Sequence, residues 1–259
     1  AAATAAMSVY RPKNILQHMQ NAEYIFGSTL RHAFASVNGI YVTPGPFSFY
    51  RRSVIEKIGG FRYGHQTEDM EMALRIQQSG YRIENAPHAR VYTKAPETLS
   101  KLIKQRTRWT SGFLRNILGE YRTLIGNHRH GALGMLMLPS ALLSIGSSIL
   151  LFSLLIVMFM RHAASVFDIR FGIPLSYAMI PHDSFDWFYF PMSVYLFLGA
   201  ITLLASISLI TIGKRISKTP GNLPFDIASY VLLYAFVAPL WLISATSDVA
   251  RGKRRGWRY

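Results

Sequence analysis

An α/β domain, followed by an amphipathic helix at a membrane interface and then an α-helical transmembrane region, is the architecture these 259 residues predict. Three observations carry it. Short apolar runs alternate with helix-period segments over residues 1–96, as in strands interleaved with helices. Within 97–132, an interfacial helix and linker, residues 97–120 set apolar side chains against cationic ones on a single helix. Residues 133–160, 187–212 and 227–247 contain no Asp, Glu, Lys or Arg, and at about 1.5 Å per residue each reaches across a hydrocarbon core of roughly 30 Å.

The elements follow in order. Ala1 to Tyr10 has no charged start followed by a long apolar run, so it reads as a small-residue strand rather than a signal peptide. From Asn14 to Ser36 the residues Ile15, Met19, Ala22, Ile25, Phe26, Leu30 and Phe34 recur near a 3.6 period and predict an amphipathic helix. Val37 to Tyr50 reads as extended chain broken at Pro44-Gly45-Pro46. Ser53 with Glu56 has the spacing of a capping box for a short helix ended by Gly59-Gly60. Thr67 is placed to cap the next helix, which runs out at Gly80. Tyr81 to Thr93 holds two strand candidates parted around Ala86-Pro87. In the helix from Glu97 to Glu120, Leu99, Leu102, Ile103, Trp109, Phe113 and Ile117 oppose Lys101, Lys104, Gln105, Arg108 and Arg115.

The net charge of +15 divides as +10 on residues 1–132 and +5 on the remainder. No aromatic stacking module or recognition helix accompanies it, which argues against nucleic acid. Basic loops facing the cytoplasm and anionic lipid account for it instead. With no cysteine there is no disulfide framework, thiolate metal site or cysteine nucleophile. His65, His88 and His130 lack metal-ligand spacing, so no protein metal ligand is assigned.

Two clusters have chemical meaning. Gln105, Arg108 and Trp109 stand at i, i+3 and i+4, one helix face on which an amide, a guanidinium and an indole meet a single ligand. A guanidinium fork suits phosphate and an indole face suits a sugar ring; the same residues also suit a lipid anchor. Glu68 and Asp69 at a helix start are favoured by the helix dipole alone, or supply a base for an attacking hydroxyl. Gly45, Pro46 and Ser48 read either as a turn or as backbone brought close to a ligand.

The succession Gly45-Pro46-Phe47-Ser48, Ile58-Gly59-Gly60-Phe61, Thr67-Glu68-Asp69, Gly80-Tyr81, Ala95-Pro96-Glu97-Thr98 and Gln105-Arg106-Thr107-Arg108-Trp109 closely resembles the membrane-embedded family-2 glycosyltransferases. These include the synthases of cellulose, hyaluronan, chitin and poly-N-acetylglucosamine. The resemblance covers roughly residues 1–120. It implies an A-type, nucleotide-diphospho-sugar transferase-like fold, of which residues 1–96 form the acceptor-side half. It also implies inverting transfer from a nucleotide sugar, a uridine diphosphate sugar above all, to a growing polysaccharide. Asp69 would be the base with Glu68 beside it, Arg108 would hold the diphosphate, and Arg106 would be a further substrate-binding residue of the same motif. Gln105 and Trp109 would shape the acceptor end, with Gly45, Pro46 and Ser48 in the acceptor-side loop. Lys94 stands where many members of that family carry Glu. The cofactor implied is Mg2+ or Mn2+. Its ligands are expected in an N-terminal half missing from this chain, since residues 1–66 contain no aspartate. A glycolipid synthase that adds one sugar shares the motif order, and a non-catalytic lipid-binding module is the alternative from another class.

A multi-pass protein of the plasma membrane with a cytoplasmic α/β domain is expected. Three crossings, however, put the basic tail 251–259, including Trp257 as a nucleotide-contacting candidate, on the outside. That violates the positive-inside rule. Either Pro239 lets 227–247 bend or re-enter, or a further crossing lies within 161–186.

Overall fold

The structure is a computed structural model, and it describes residues 1–170, 194–219 and 221–253. Its sheet has three strands, β1 (Ala2–Val9), β2 (Phe49–Tyr50) and β3 (Ile83–Thr93), in the order β2-β1-β3. The central strand pairs antiparallel with β2 and parallel with β3. Small residues suit β1 because it is covered on both faces, Ala5 and Ala6 being buried. β2 pairs only with Ala2 and Ala3, so the N–H groups of Met7 and Val9 need other partners. The α1 helix (Ile15–Ser36) supplies them: Ser28 Oγ accepts from Met7 N at 3.1 Å and Asn21 Oδ1 from Val9 N at 2.9 Å.

The Tyr81 to Thr93 segment is one strand, not the two expected. Its register jumps from Ala5↔Ala86 to Ala6↔Arg90, so Pro87, which cannot donate to a ladder, sits with His88 and Ala89 in the bulge. Two expected caps also fail. The α2 helix (Arg52–Ile58) starts after Arg51 without a side-chain cap: Ser53 falls inside the helix rather than at its start, and Glu56 pairs with Arg52 at 2.7 Å. Thr67 precedes α3 (Glu68–Gln78), but its hydroxyl donates to Gly64 O at 2.7 Å. Asn14 does cap α1, accepting from Gln17 N at 2.9 Å.

The amphipathic helix is α4 (Leu99–Leu118). Its start is fixed by α1, whose Gln17 and Gln20 amides donate to the carbonyls of Ala95 and Pro96 at 2.9 Å each. Its middle is fixed at Gly112, where a β-carbon would overlap the Thr67 side chain. Asn116 Nδ2 completes the joint with a 3.2 Å bond to Thr67 Oγ1. Gly112→Ala is therefore expected to cost about 1–3 kcal/mol by overpacking, whereas Gly146→Ala, with open space around it, should be neutral. Thermal unfolding of the two variants side by side checks this; equal midpoints would show a joint with slack.

After a π-helical turn at Leu133–Met137 come α5 (Leu138–Arg170), α6 (Val194–Ser217) and α7 (Leu223–Ala250). Three helical stretches, Leu133–Arg161, Gly199–Ser217 and Leu223–Ala250, are long and apolar enough to cross a membrane. Residues 171–193, which include most of the 161–186 segment expected as an alternative crossing, lie outside the described residues, as do 254–259.

Candidate active site

A cavity of about 800 Å3 opens between α1, the 41–46 segment, the start of α3, α4, α5 and α7. Asp69 stands at its wall on the first turn of α3. Both carboxylate oxygens are oriented by backbone: Oδ2 accepts from Gly45 N at 3.0 Å and Oδ1 from Met70 N at 2.8 Å. Thr43 Oγ1 donates to the Asp69 carbonyl at 2.7 Å, tying the extended segment to the helix start. Burial pushes the Asp69 carboxyl above the usual range; the N–H groups of Gly45 and Met70 oppose the shift, Glu68 adds to it and Arg108 opposes it. A carboxylate so placed holds a proton more readily than one in water.

Arg108 meets this turn from α4. The residues before Thr67 adopt left-handed backbone, with φ 51° at His65 and 69° at Gln66. Gln66 O accepts from Arg108 Nη1 at 2.8 Å. Gln105 and Trp109 share the cavity wall with Arg108 and Asp69, which brings together the residues that sequence spacing placed on one face. Gln105 Oε1 is buried and finds no hydrogen-bond partner among the described residues.

Arg106, expected among the substrate-binding residues, sits on the α1 side of the cavity. It lines the wall but is buried, and its Nη2 is 2.8 Å from Glu23 Oε2. Its guanidinium lies 4.4 Å from the Trp109 ring centroid and 5.3 Å from that of Tyr24. Glu23 and Arg106 thus form a support that fixes the indole from behind. Sequence reasoning missed Glu23; its signal is a carboxylate four residues after Met19, on the apolar side of α1, where a charge needs a partner. Arg31 was also missed. It lines the cavity, donates to Ser28 Oγ at 2.9 Å, and is held down to about 10 by burial.

Gly45 and Pro46 line the cavity, Gly45 through its bond to Asp69. Ser48 does not line it; its hydroxyl donates to Pro44 O at 2.6 Å and closes the turn. Trp257 lies outside the described residues. No group of three or more His, Asp or Glu side chains among the described residues is placed to hold a metal ion. Glu68 and Asp69 alone do not make a divalent-cation site, and no step below is routed through one.

With a mixed sheet bearing helices, a carboxylate and a guanidinium lining one cavity, and membrane-length helices beyond, this is a family-2 glycosyltransferase fold. Residues 1–243 match the family described as Glycosyl transferase family group 2, and the chain belongs to it. It is similar to a probable glycosyltransferase, YdaM, of Bacillus subtilis (strain 168), at 40% identity over 73 residues, 28% of this chain and 17% of that protein. It is also similar to the poly-beta-1,6-N-acetyl-D-glucosamine synthase of Staphylococcus aureus (strain COL), at 28% identity over 113 residues, 43% of this chain and 27% of that protein. Both matches thus cover well under half the length of the relative.

Proposed function

We propose that the chain carries the acceptor side of an inverting, membrane-bound glycosyltransferase that extends a polysaccharide from a nucleotide sugar, a uridine diphosphate sugar in the first instance. The observation that carries this reading is the meeting of the Asp69 carboxylate with Gln105, Arg108 and Trp109 in one cavity. In the reaction, Asp69 takes the proton of the acceptor hydroxyl as its oxygen bonds to the anomeric carbon. The bond from that carbon to the phosphate oxygen breaks on the opposite side, and the nucleoside diphosphate leaves with the electron pair. Displacement without a covalent enzyme intermediate inverts the anomeric centre. Arg108 offers planar donors to the leaving diphosphate, while Trp109, supported by Arg106 and Glu23, presents a flat face to the acceptor sugar.

The test is release of nucleoside diphosphate by membranes carrying the full-length enzyme, with product sized to separate polymer from a singly glycosylated lipid. Arg108→Lys keeps the charge but loses the fork, and turnover per inserted molecule should fall on the order of tenfold or more. Lys101→Arg, an exposed position on the same helix, should leave it unchanged. Equal, mild effects at both would leave α4 a lipid anchor only.

A further inference from the structure

We propose that Arg31 determines specificity on the acceptor side by holding a carboxylate of the growing chain, so that the acceptor is an acidic polysaccharide. This rests on the glycosyl-transfer reading of the same cavity and adds the class of its acceptor.

Arg31, Arg106 and Arg108 line the cavity, and two of the three are already engaged. Arg106 pairs with Glu23 at 2.8 Å, and Arg108 donates to Gln66 O at 2.8 Å. Arg31 forms no ion pair among the described residues. A guanidinium has five N–H donors, yet the acceptor that Arg31 meets is Ser28 Oγ, 2.9 Å from Nη2, an oxygen that also accepts from Met7 N. Its Nε is buried and finds no acceptor among the described residues. Burial draws its pKa down to about 10, so the group is still a cation near neutral pH. A cation left unmatched in such surroundings costs stability. One retained on a cavity wall is available to a ligand of opposite charge.

Its place on the wall says which ligand. Glu23, Gly27 and Arg31 follow one another at intervals of four residues on α1 and all line the cavity, as one face of the helix. Two turns, about 12 Å at 1.5 Å per residue, separate Arg31 from Glu23, which supports Trp109 through Arg106. Between them a β-carbon on Gly27 would stand 3.5 Å from Arg31 Nη1, so the guanidinium lies beside bare backbone. Tyr41, which interacts electrostatically with Arg31, packs in one cluster with Ala141 and Ile145 of α5. The cation thus sits toward the first membrane-length helix, while Arg108 meets the turn that presents Asp69. An anion held there belongs to the acceptor rather than to the leaving diphosphate. Trp109 and Tyr41 bring aromatic rings to this cavity and Ser144 and Ser148 bring hydroxyls, groups that suit sugars, and a guanidinium fork matches the two oxygens of a carboxylate. An acidic sugar satisfies both.

The test titrates the full-length protein in detergent with two probes of equal length, a glucuronic acid oligomer and a glucose oligomer. Wild type should bind the acidic oligomer tighter by on the order of tenfold or more. Arg31→Gln should abolish that preference, and Arg31→Lys, which keeps the charge without the fork, should keep part of it. Because Arg31→Gln removes an unmatched cation, its unfolding midpoint without ligand should equal or exceed that of wild type. Equal binding of the two oligomers by wild type, or a preference that survives in Arg31→Gln, overturns the proposal. So does a fall in the Arg31→Gln midpoint as large as that of Gly112→Ala, which would make Arg31 a structural residue. Competition by dodecyl phosphate where the acidic oligomer has no effect would give Arg31 to a lipid acceptor and also overturn it. Release of nucleoside diphosphate on the same preparation tells the two readings apart. Release that depends on Asp69, beside equal oligomer binding, sinks the acidic acceptor alone; an Arg31-dependent preference without any release keeps the anion subsite and sinks the transfer reading.

Discussion

Asp69→Asn is expected to lower the transfer rate by about 10²- to 10⁴-fold, the range for loss of a positioned general base, while nucleotide affinity stays within a few fold of wild type. The substitution keeps the size of the side chain and one acceptor oxygen, for either the Gly45 or the Met70 N–H, so it loses one backbone bond along with proton acceptance but leaves the cavity's volume in place. The same carboxylate sets a pH dependence. Burial raises its pKa, and only the ionised form accepts a proton, so activity should fall as pH drops through a value above the ordinary carboxylate range. Nucleotide titration and product assay on one preparation separate binding from chemistry, and a rate profile against pH locates the acid limb. Turnover within about tenfold of wild type would remove Asp69 from the base's role.

Glu71→Ala carries the largest expected effect on stability, about 3–5 kcal/mol. Glu71 and Arg75 pair at 3.0 Å with side chains 2% and 6% exposed, and Tyr121 donates its hydroxyl proton to Glu71 Oε1 at 2.5 Å. Removing the carboxylate leaves a buried guanidinium whose remaining bonds run to the carbonyls of Ile58 and Gly60, together with an orphaned phenol. Glu71→Gln keeps an acceptor and should lose less. Denaturant or thermal unfolding in a fixed detergent reads both; a loss for Glu71→Ala no greater than for an exposed control such as Glu56→Ala would show that the network contributes nothing net.

Elements whose signals are local were legible in the sequence. The apolar period of α1, the acidic first turn of α3 and the face shared by Gln105, Arg108 and Trp109 all depend on residues within a few positions of one another. What was misread depends on distant chain. Ser53 and Glu56 have capping-box spacing, but Ser53 falls inside the helix and Glu56 pairs with Arg52. Thr67 has a capping side chain, yet Gly64 and Asn116 hold its hydroxyl. Arg106 looks like a ligand-binding cation because its neighbours are candidates, and only the approach of α1, which brings Glu23 to 2.8 Å, shows its charge to be already matched. The bulge in β3 is likewise a relation between segments, and no window of sequence contains it.

The seat of Gly112 on Thr67 leaves no room for a spacer between α3 and α4. Four residues separate Arg108, which reaches the Gln66 carbonyl, from Gly112, so one turn of α4 is clamped to the loop that presents Asp69. A small tilt of α4 is therefore not absorbed by side chains but carried to the carboxylate as rigid motion. Since α4 is also held against α7, the position of the Asp69 carboxylate is set in part by that helix pair. In mechanical terms, α4 is the bench to which the turn that carries Asp69 is bolted.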